Sequence, residues 1–354
     1  MKILQQYQED GLPDVSFNSM AERFARGLTT FLNPDFENVK IQFWDRNSLA
    51  APKYDVSDTA IVLRGQVVYE NRYTEKTIEF YRSVYPNTPI IVSTWKNELT
   101  DDFRAACKRN SVVLLENIQP AIPGFGHLNY QLENAFKGVT YVKENLDARF
   151  ILVTRTDQRL NKFDFLVYFR NMILEFPPHG RKLQGRILIF GDILVTKYLP
   201  FSSTDFLAFG YLADIFKFYD LPRLQGAGEH AYYFLHSKRF YKMRDILQNA
   251  TFIKLDFAEH KMKLKKFNVM MNRFVDADIF WMKNFYRKYI APIDETTILE
   301  TWLKFVKEYL IFVDSSSVFF DWPKREVHRY KSIRERTYFS QWLDLYRNFN
   351  VDWI

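Results

Sequence analysis

An apolar run, Phe150-Ile151-Leu152-Val153, delivers six polar residues, Thr154-Arg155-Thr156-Asp157-Gln158-Arg159. This hexapeptide sets an acid between two arginines at what reads as the C-terminal end of a buried strand. In open α/β sheets, ligands gather in the crevice outside those ends. A carboxylate there can hold a divalent cation, and the cation can bridge to a diphosphate. Arg155 and Arg159 offer a second route to the same anion, because guanidinium forks match phosphate oxygens. The competing reading is structural, with either arginine simply paired to Asp157.

Two other strand ends carry candidate residues. Arg64-Gly65-Gln66 follows Ala60–Leu63, where glycine lets the backbone approach a nucleotide closely and Arg64 can meet a base or phosphate. Ser93-Thr94-Trp95 closes the next run; Trp95 can stack on a base or fill the rim of the core. Asp205 and Glu229 are carboxylates that could serve as a general base. Glu229 sits in Gly226-Ala227-Gly228-Glu229-His230, a break before a helix, and its plain alternative is a place in that helix's first turn.

The elements that must position these residues alternate regularly. Short apolar runs at 60–63, 89–95, 112–115 and 150–153 read as strands. Between them the spacing predicts helices. One is capped by Thr74 with Ile78, Tyr81 and Tyr85 inward, and one is opened by Thr100-Asp101-Asp102. A longer one carries Leu132, Ala135, Phe136, Val139 and Val142 on one face. Continuous apolar strands between amphipathic helices imply a mainly parallel sheet covered on both sides. Further on, Phe163–Phe176 reads as a helix stopped by Pro177-Pro178, 186–190 and 204–210 as strands, and 211–216 as a helix. From about Arg239 the character is helical and basic with no alternation of strands, and 298–310 is strongly amphipathic. The expected organisation is an N-terminal extension over 1–58 with a short strand at 39–43, a ligand-binding α/β domain over 59–238, and a mostly helical region over 239–354 that completes the acceptor side.

Composition narrows the partners. A net charge of +7 suits anionic substrates or an anionic membrane surface. The basic residues are scattered and match no nucleic-acid module, so no nucleic-acid partner is expected. The C-terminal groups Lys261, Lys263, Lys265 and Lys266, and Lys324, Arg325, Arg329, Lys331, Arg334 and Arg336, read first as solvated helix faces. Their functional alternative is contact with lipid headgroups or an acidic glycan. The single cysteine, Cys107, excludes a disulfide framework and suits a reducing cytosol. No run of about 18 apolar residues occurs, and no signal peptide is read at the start. A cytoplasmic protein, at most peripheral to the inner face of the cell membrane, is expected.

Taken in order, Val62-Leu-Arg-Gly-Gln-Val-Val68, Glu75–Tyr81, Ile90–Trp95, Thr154–Arg159 and Asp205–Gly210 resemble the WavE-type lipopolysaccharide-synthesis family, over roughly Ala60 to Leu235. Gln66 stands where the family commonly has proline, and Asn129-Tyr130-Gln131 where it has Asn-Arg-Gln. The resemblance implies a GT-A-like (Rossmann-like) fold and a nucleotide-sugar-dependent glycosyltransferase serving a glycan or lipid-linked acceptor. On that reading Arg64, Gly65, Gln66, Thr94, Trp95, Arg155, Asp157 and Arg159 receive the nucleotide-diphosphate sugar. Asp157 holds Mg²⁺ or Mn²⁺, and Glu229 or Asp205 acts as base. A sugar nucleotidyltransferase is the rival enzyme, but Arg64-Gly-Gln-Val is poor in glycine for its phosphate loop. A non-catalytic basic module binding membrane or nucleic acid is the rival outside enzymes.

Overall fold

The computed structural model of the chain describes residues 53–124, 127–192, 200–224, 277–294, 296–323 and 338–348. All of these lie in one compact unit, Lys53–Ile354. The expected strand at 39–43 lies outside the described residues, as do Glu229, His230 and both C-terminal basic groups.

Four parallel strands form the first half of the sheet: β1 (Thr59–Arg64), β2 (Ile90–Trp95), β3 (Val113–Asn117) and β4 (Phe150–Arg155). A two-residue strand β5 (Arg159–Leu160) follows, then β6 (Ile187–Phe190), β7 (Leu207–Tyr211), β8 (Leu310–Val313) and β9 (Phe320–Asp321). The main sheet has seven strands in the order β3-β2-β1-β4-β7-β6-β8, and β7 runs antiparallel to both neighbours. β5 and β9 form a separate antiparallel pair. Helices α1 (Tyr73–Val84), α2 (Asp101–Arg109) and α3 (Leu128–Asn145) supply the crossovers between the parallel strands. After β4 come α4 (Phe165–Glu175), α5 (Leu212–Tyr219), α6 (Ala277–Tyr289), α7 (Ile298–Tyr309) and α8 (Phe339–Asn348). This is the mainly parallel sheet flanked by helices that the alternation implies.

The buried strands explain the architecture. Every residue of β1, β2, β6 and β8 is buried, so helices must cover both faces. On one face α3 brings Leu132, Ala135, Val139 and Val142 inward, as its spacing predicts. On another, α1 contributes two tyrosines that are both buried and hydrogen-bonded. Tyr81 accepts from the Leu160 N–H at 2.9 Å; Tyr85 donates to the Phe163 carbonyl at 2.5 Å and accepts from the Leu166 N–H at 3.1 Å. These two hydroxyls fix the path of the chain after β4.

Two expectations are corrected. Thr74 does not cap α1, whose first residue is Tyr73. Its hydroxyl instead donates to the Thr156 carbonyl at 2.9 Å and accepts from the Val68 N–H at 2.9 Å. And the C-terminal region, where no alternation of strands is read, supplies strands as well as helices. β8 follows α7 with no intervening turn and pairs in parallel with β6, so the last strand of the central sheet comes from far along the chain.

Candidate functional site

The sheet changes direction between β1 and β4. From β1 the chain winds outward through β2 and β3, then returns on the far side of β1 to build β4. The crevice at the C-terminal ends of such a pair is where α/β sheets bind ligands. Arg64 and Arg155 end β1 and β4 and stand opposite each other in register.

Asp205 joins them because β7 is antiparallel. Leu207 pairs with Thr154, so the residues just before β7 lie beyond the C-terminal end of β4. Arg64 donates to the Asp205 carbonyl and, at 3.4 Å, to its Oδ2. Arg155 donates from Nη1 to the same Oδ2 at 2.7 Å. The other edge of the Arg155 guanidinium grips Asp157 in a fork, Nε to Oδ1 and Nη2 to Oδ2, both at 2.9 Å. Trp322 Nε1 donates to Asp157 Oδ2 at 3.2 Å. The Trp322 ring packs edge-on to Phe206 at 4.6 Å, and the Arg155 guanidinium lies over both rings at 5.5–5.8 Å. The side chains of Arg64, Asp157 and Asp205 are 3, 3 and 8% exposed and that of Arg155 is 23% exposed, so Arg155 is the member that meets solvent.

The turn holding Asp157 is tied to the β1 loop by Thr156. Its N–H donates to the Arg64 carbonyl at 3.0 Å and its hydroxyl to the Gln66 carbonyl at 2.5 Å. Gly65 adopts φ +109°, a conformation glycine takes readily, and its N–H reaches the Ser93 carbonyl at 3.0 Å. Gln66 contributes that backbone carbonyl while its side chain is exposed.

The remaining sequence candidates separate. Arg159 is spent on α1: Nε donates to Thr77 Oγ1 at 2.9 Å, Nη2 to the Tyr73 carbonyl at 3.1 Å, and the guanidinium lies over the Tyr73 ring. Trp95 is buried edge-on against Tyr130 at 5.4 Å and fills the rim of the core. Thr94 is buried at the end of β2 with a hydroxyl that has no hydrogen-bond partner among the described residues. Neighbouring Ser93 and Asn134 are bridged by the Asn117 amide, at 2.8 Å to each. Cys107 is a buried small hydrophobe whose thiol pKa is pushed up to about 12, chiefly by burial. Thr156 and Trp322 are the two site residues that the sequence reading missed.

As a metal ligand Asp157 does not fit. Both its oxygens already receive the Arg155 fork, and among the described residues no three His, Cys, Asp or Glu side chains converge to hold an ion. The four charges, two guanidinium and two carboxylate, cancel.

A family profile described as WavE lipopolysaccharide synthesis matches residues 60–352 of the chain. No curated protein matches in sequence. Solved structures similar in fold include a cytidylyltransferase from Leptospira borgpetersenii serovar Hardjo-bovis, at 10% identity and TM-score 0.32, spanning 67% of this chain and 99% of that one. A glycosyltransferase involved in glycosylation of the major capsid of PBCV-1 aligns at 11% identity and TM-score 0.26, over 52% of this chain and 77% of that one. HddC from Yersinia pseudotuberculosis aligns at 12% identity and TM-score 0.28, over 51% and 84%. No described helix is long and apolar enough to cross a membrane.

Proposed function

Because the chain belongs to the WavE lipopolysaccharide synthesis family, we propose that it is a glycosyltransferase. It moves a sugar from a nucleotide-diphosphate donor to a glycan or lipid-linked acceptor in surface-polysaccharide assembly. The observation that carries this reading is the Arg64–Asp205–Arg155–Asp157 cluster at the β1/β4 switch point, in which the Arg155 side chain is the most exposed. Arg64 and Asp205 hold Arg155 in place. Arg155 then faces the leaving diphosphate, where fixed positive charge stabilises the negative charge that develops as the glycosidic bond breaks. The nucleotide lies along Gly65 and Gln66, at the end of β1 beside the end of β2 that carries Thr94. Asp205 commits Oδ2 to two arginines, so in this reading Glu229 takes the proton from the attacking hydroxyl. The reaction takes place in the cytoplasm, at the inner face of the membrane when the acceptor is lipid-linked.

The test is a thermal-stability screen of the full chain against UDP-, GDP-, CMP- and dTDP-sugars. One nucleotide should raise Tm selectively, since a ligand at 100 times its Kd adds about 2.7 kcal/mol to the native state. Glu229→Gln should then bind that donor unchanged and lose about 100-fold or more in kcat. A chain that no donor stabilises, yet which binds anionic polymers in a steeply salt-dependent way, would be the basic binding module instead.

A further inference from the structure

Among the described residues, the fold brings the carboxylates of Asp157 and Asp205 to the mouth of the crevice, and the space between them is taken. Arg155 satisfies three of their oxygens: Asp157 Oδ1 and Oδ2 at 2.9 Å each, and Asp205 Oδ2 at 2.7 Å. A divalent cation at a diphosphate site is held through one or two carboxylates that have oxygens free to coordinate it. Here those oxygens are occupied by a tethered cation from the same protein. The site is also poorly suited to exchange one for the other. Asp157 and Asp205 are 2 and 7% exposed, and Arg64 supplies a second positive charge to Asp205. A hydrated ion would have to shed water, enter a neutral cluster and expel a guanidinium held by charge-assisted hydrogen bonds. Trp322 adds a further donor to Asp157 Oδ2.

Arg155 also keeps capacity to spare. A guanidinium has five N–H donors, and Nε, Nη1 and Nη2 each give one to a carboxylate. Among the described residues the two remaining N–H bonds, on Nη1 and Nη2, meet no acceptor, and they belong to the most exposed side chain of the cluster. They are fixed in direction by the fork to Asp157, and planar donors of this kind match phosphate oxygens.

We infer that Arg155 stands in the place of a divalent cation at this strand end, so that the diphosphate of a nucleoside diphosphate binds without Mg²⁺ or Mn²⁺. This rests on the donor reading above, and the experiment separates the two. The full chain is titrated with UDP, GDP, CDP and dTDP by calorimetry, once in EDTA and once in Mn²⁺. Mn²⁺ alone is titrated separately and followed by electron paramagnetic resonance. The wild type should bind one nucleotide with affinities within about twofold in the two buffers, and should take up no Mn²⁺ at micromolar concentrations. Arg155→Ala should lose tenfold or more in EDTA and regain affinity in Mn²⁺, because the two freed carboxylates can now chelate the ion. Nucleotide binding by the wild type that strengthens tenfold or more in Mn²⁺, or micromolar Mn²⁺ binding without nucleotide, overturns the inference. The glycosyltransferase reading survives in the first case. If no nucleotide binds in either buffer, the donor reading fails, and the Mn²⁺ titration of the wild type still decides whether Arg155 keeps the ion out. Should Arg155→Ala not fold, the wild-type measurements carry the decision alone.

Discussion

Asp214 in α5 is fully buried, and its Oδ2 accepts the N–H groups of Gln184 and Gly185 at 2.8 and 2.9 Å. Burial raises its carboxyl above the usual carboxylate range, against the opposing pull of those hydrogen bonds and Lys217. The folded chain therefore holds a proton that the unfolded chain releases at the same pH. This contribution to stability is present at low pH and is lost as pH rises through the raised value. Asp214→Asn keeps an oxygen for both N–H groups and removes the titration. Its stability relative to wild type should rise between about pH 4 and about pH 7, read by urea denaturation. A relative stability that is flat or falls across that interval would refute the account. At this scale the sequence was informative about residue type and about the local Arg155–Asp157 pair, and blind to pairing across the chain. Arg64, Arg155, Asp157 and Asp205 are legible as polar residues at strand ends. Which of them meet is set by β7 running backward, and Trp322 lies 165 positions from the aspartate it touches. Arg159 has the same local setting as Arg155, and only the turn between them sends it to α1.

α3 lies directly against β1, and Gly138 is what permits the approach. A Cβ at that position would stand 2.5 Å from Val62 Cγ1 and 3.4 Å from Ser93 Cβ. Gly138→Ala gains up to about 1 kcal/mol of helix propensity. The overpacking costs about 1–3 kcal/mol and should outweigh it. The midpoint of chemical denaturation should therefore fall, with the m-value unchanged. A midpoint that rises would show that α3 can slide. Since Val62 sits two residues before Arg64, nucleotide affinity should weaken in the same variant. Elements were legible wherever a full apolar stripe met a turn signal: Thr100 caps α2 by accepting from the Phe103 N–H at 3.2 Å, and α4 stops just before Pro177. β8 was hidden because Leu310 continues the amphipathic run of α7 without a break, and four apolar residues attached to a helix carry no period of their own.

At the scale of the whole molecule, Arg186, fully buried just before β6, ties together segments far apart in the chain. Nε donates to the carbonyls of Phe176 and Pro177 at 2.9 and 3.0 Å, and Nη1 donates to the carbonyls of Lys307 and Leu310. Its guanidinium also lies over the rings of Trp342 and Tyr346 in α8. One side chain thus joins the end of α4, the α7–β8 junction and α8. Burial lowers its pKa to about 10. Arg186→Met keeps the bulk and leaves four carbonyls without this donor. It should cost about 1–3 kcal/mol or more, the range for leaving a buried acceptor unsatisfied, measured by denaturant unfolding. A loss below about 1 kcal/mol would mean that water replaces the guanidinium.

The late arrival of β8 has a consequence for how the chain is made. As the nascent polypeptide leaves the ribosome, β6 is ready with a wholly apolar edge, Ile187-Leu-Ile-Phe190, while its partner is still untranslated. At common translation rates that edge waits on the order of ten seconds. For that interval the growing protein carries an open, sticky border of the kind that recruits other chains, and it invites a chaperone.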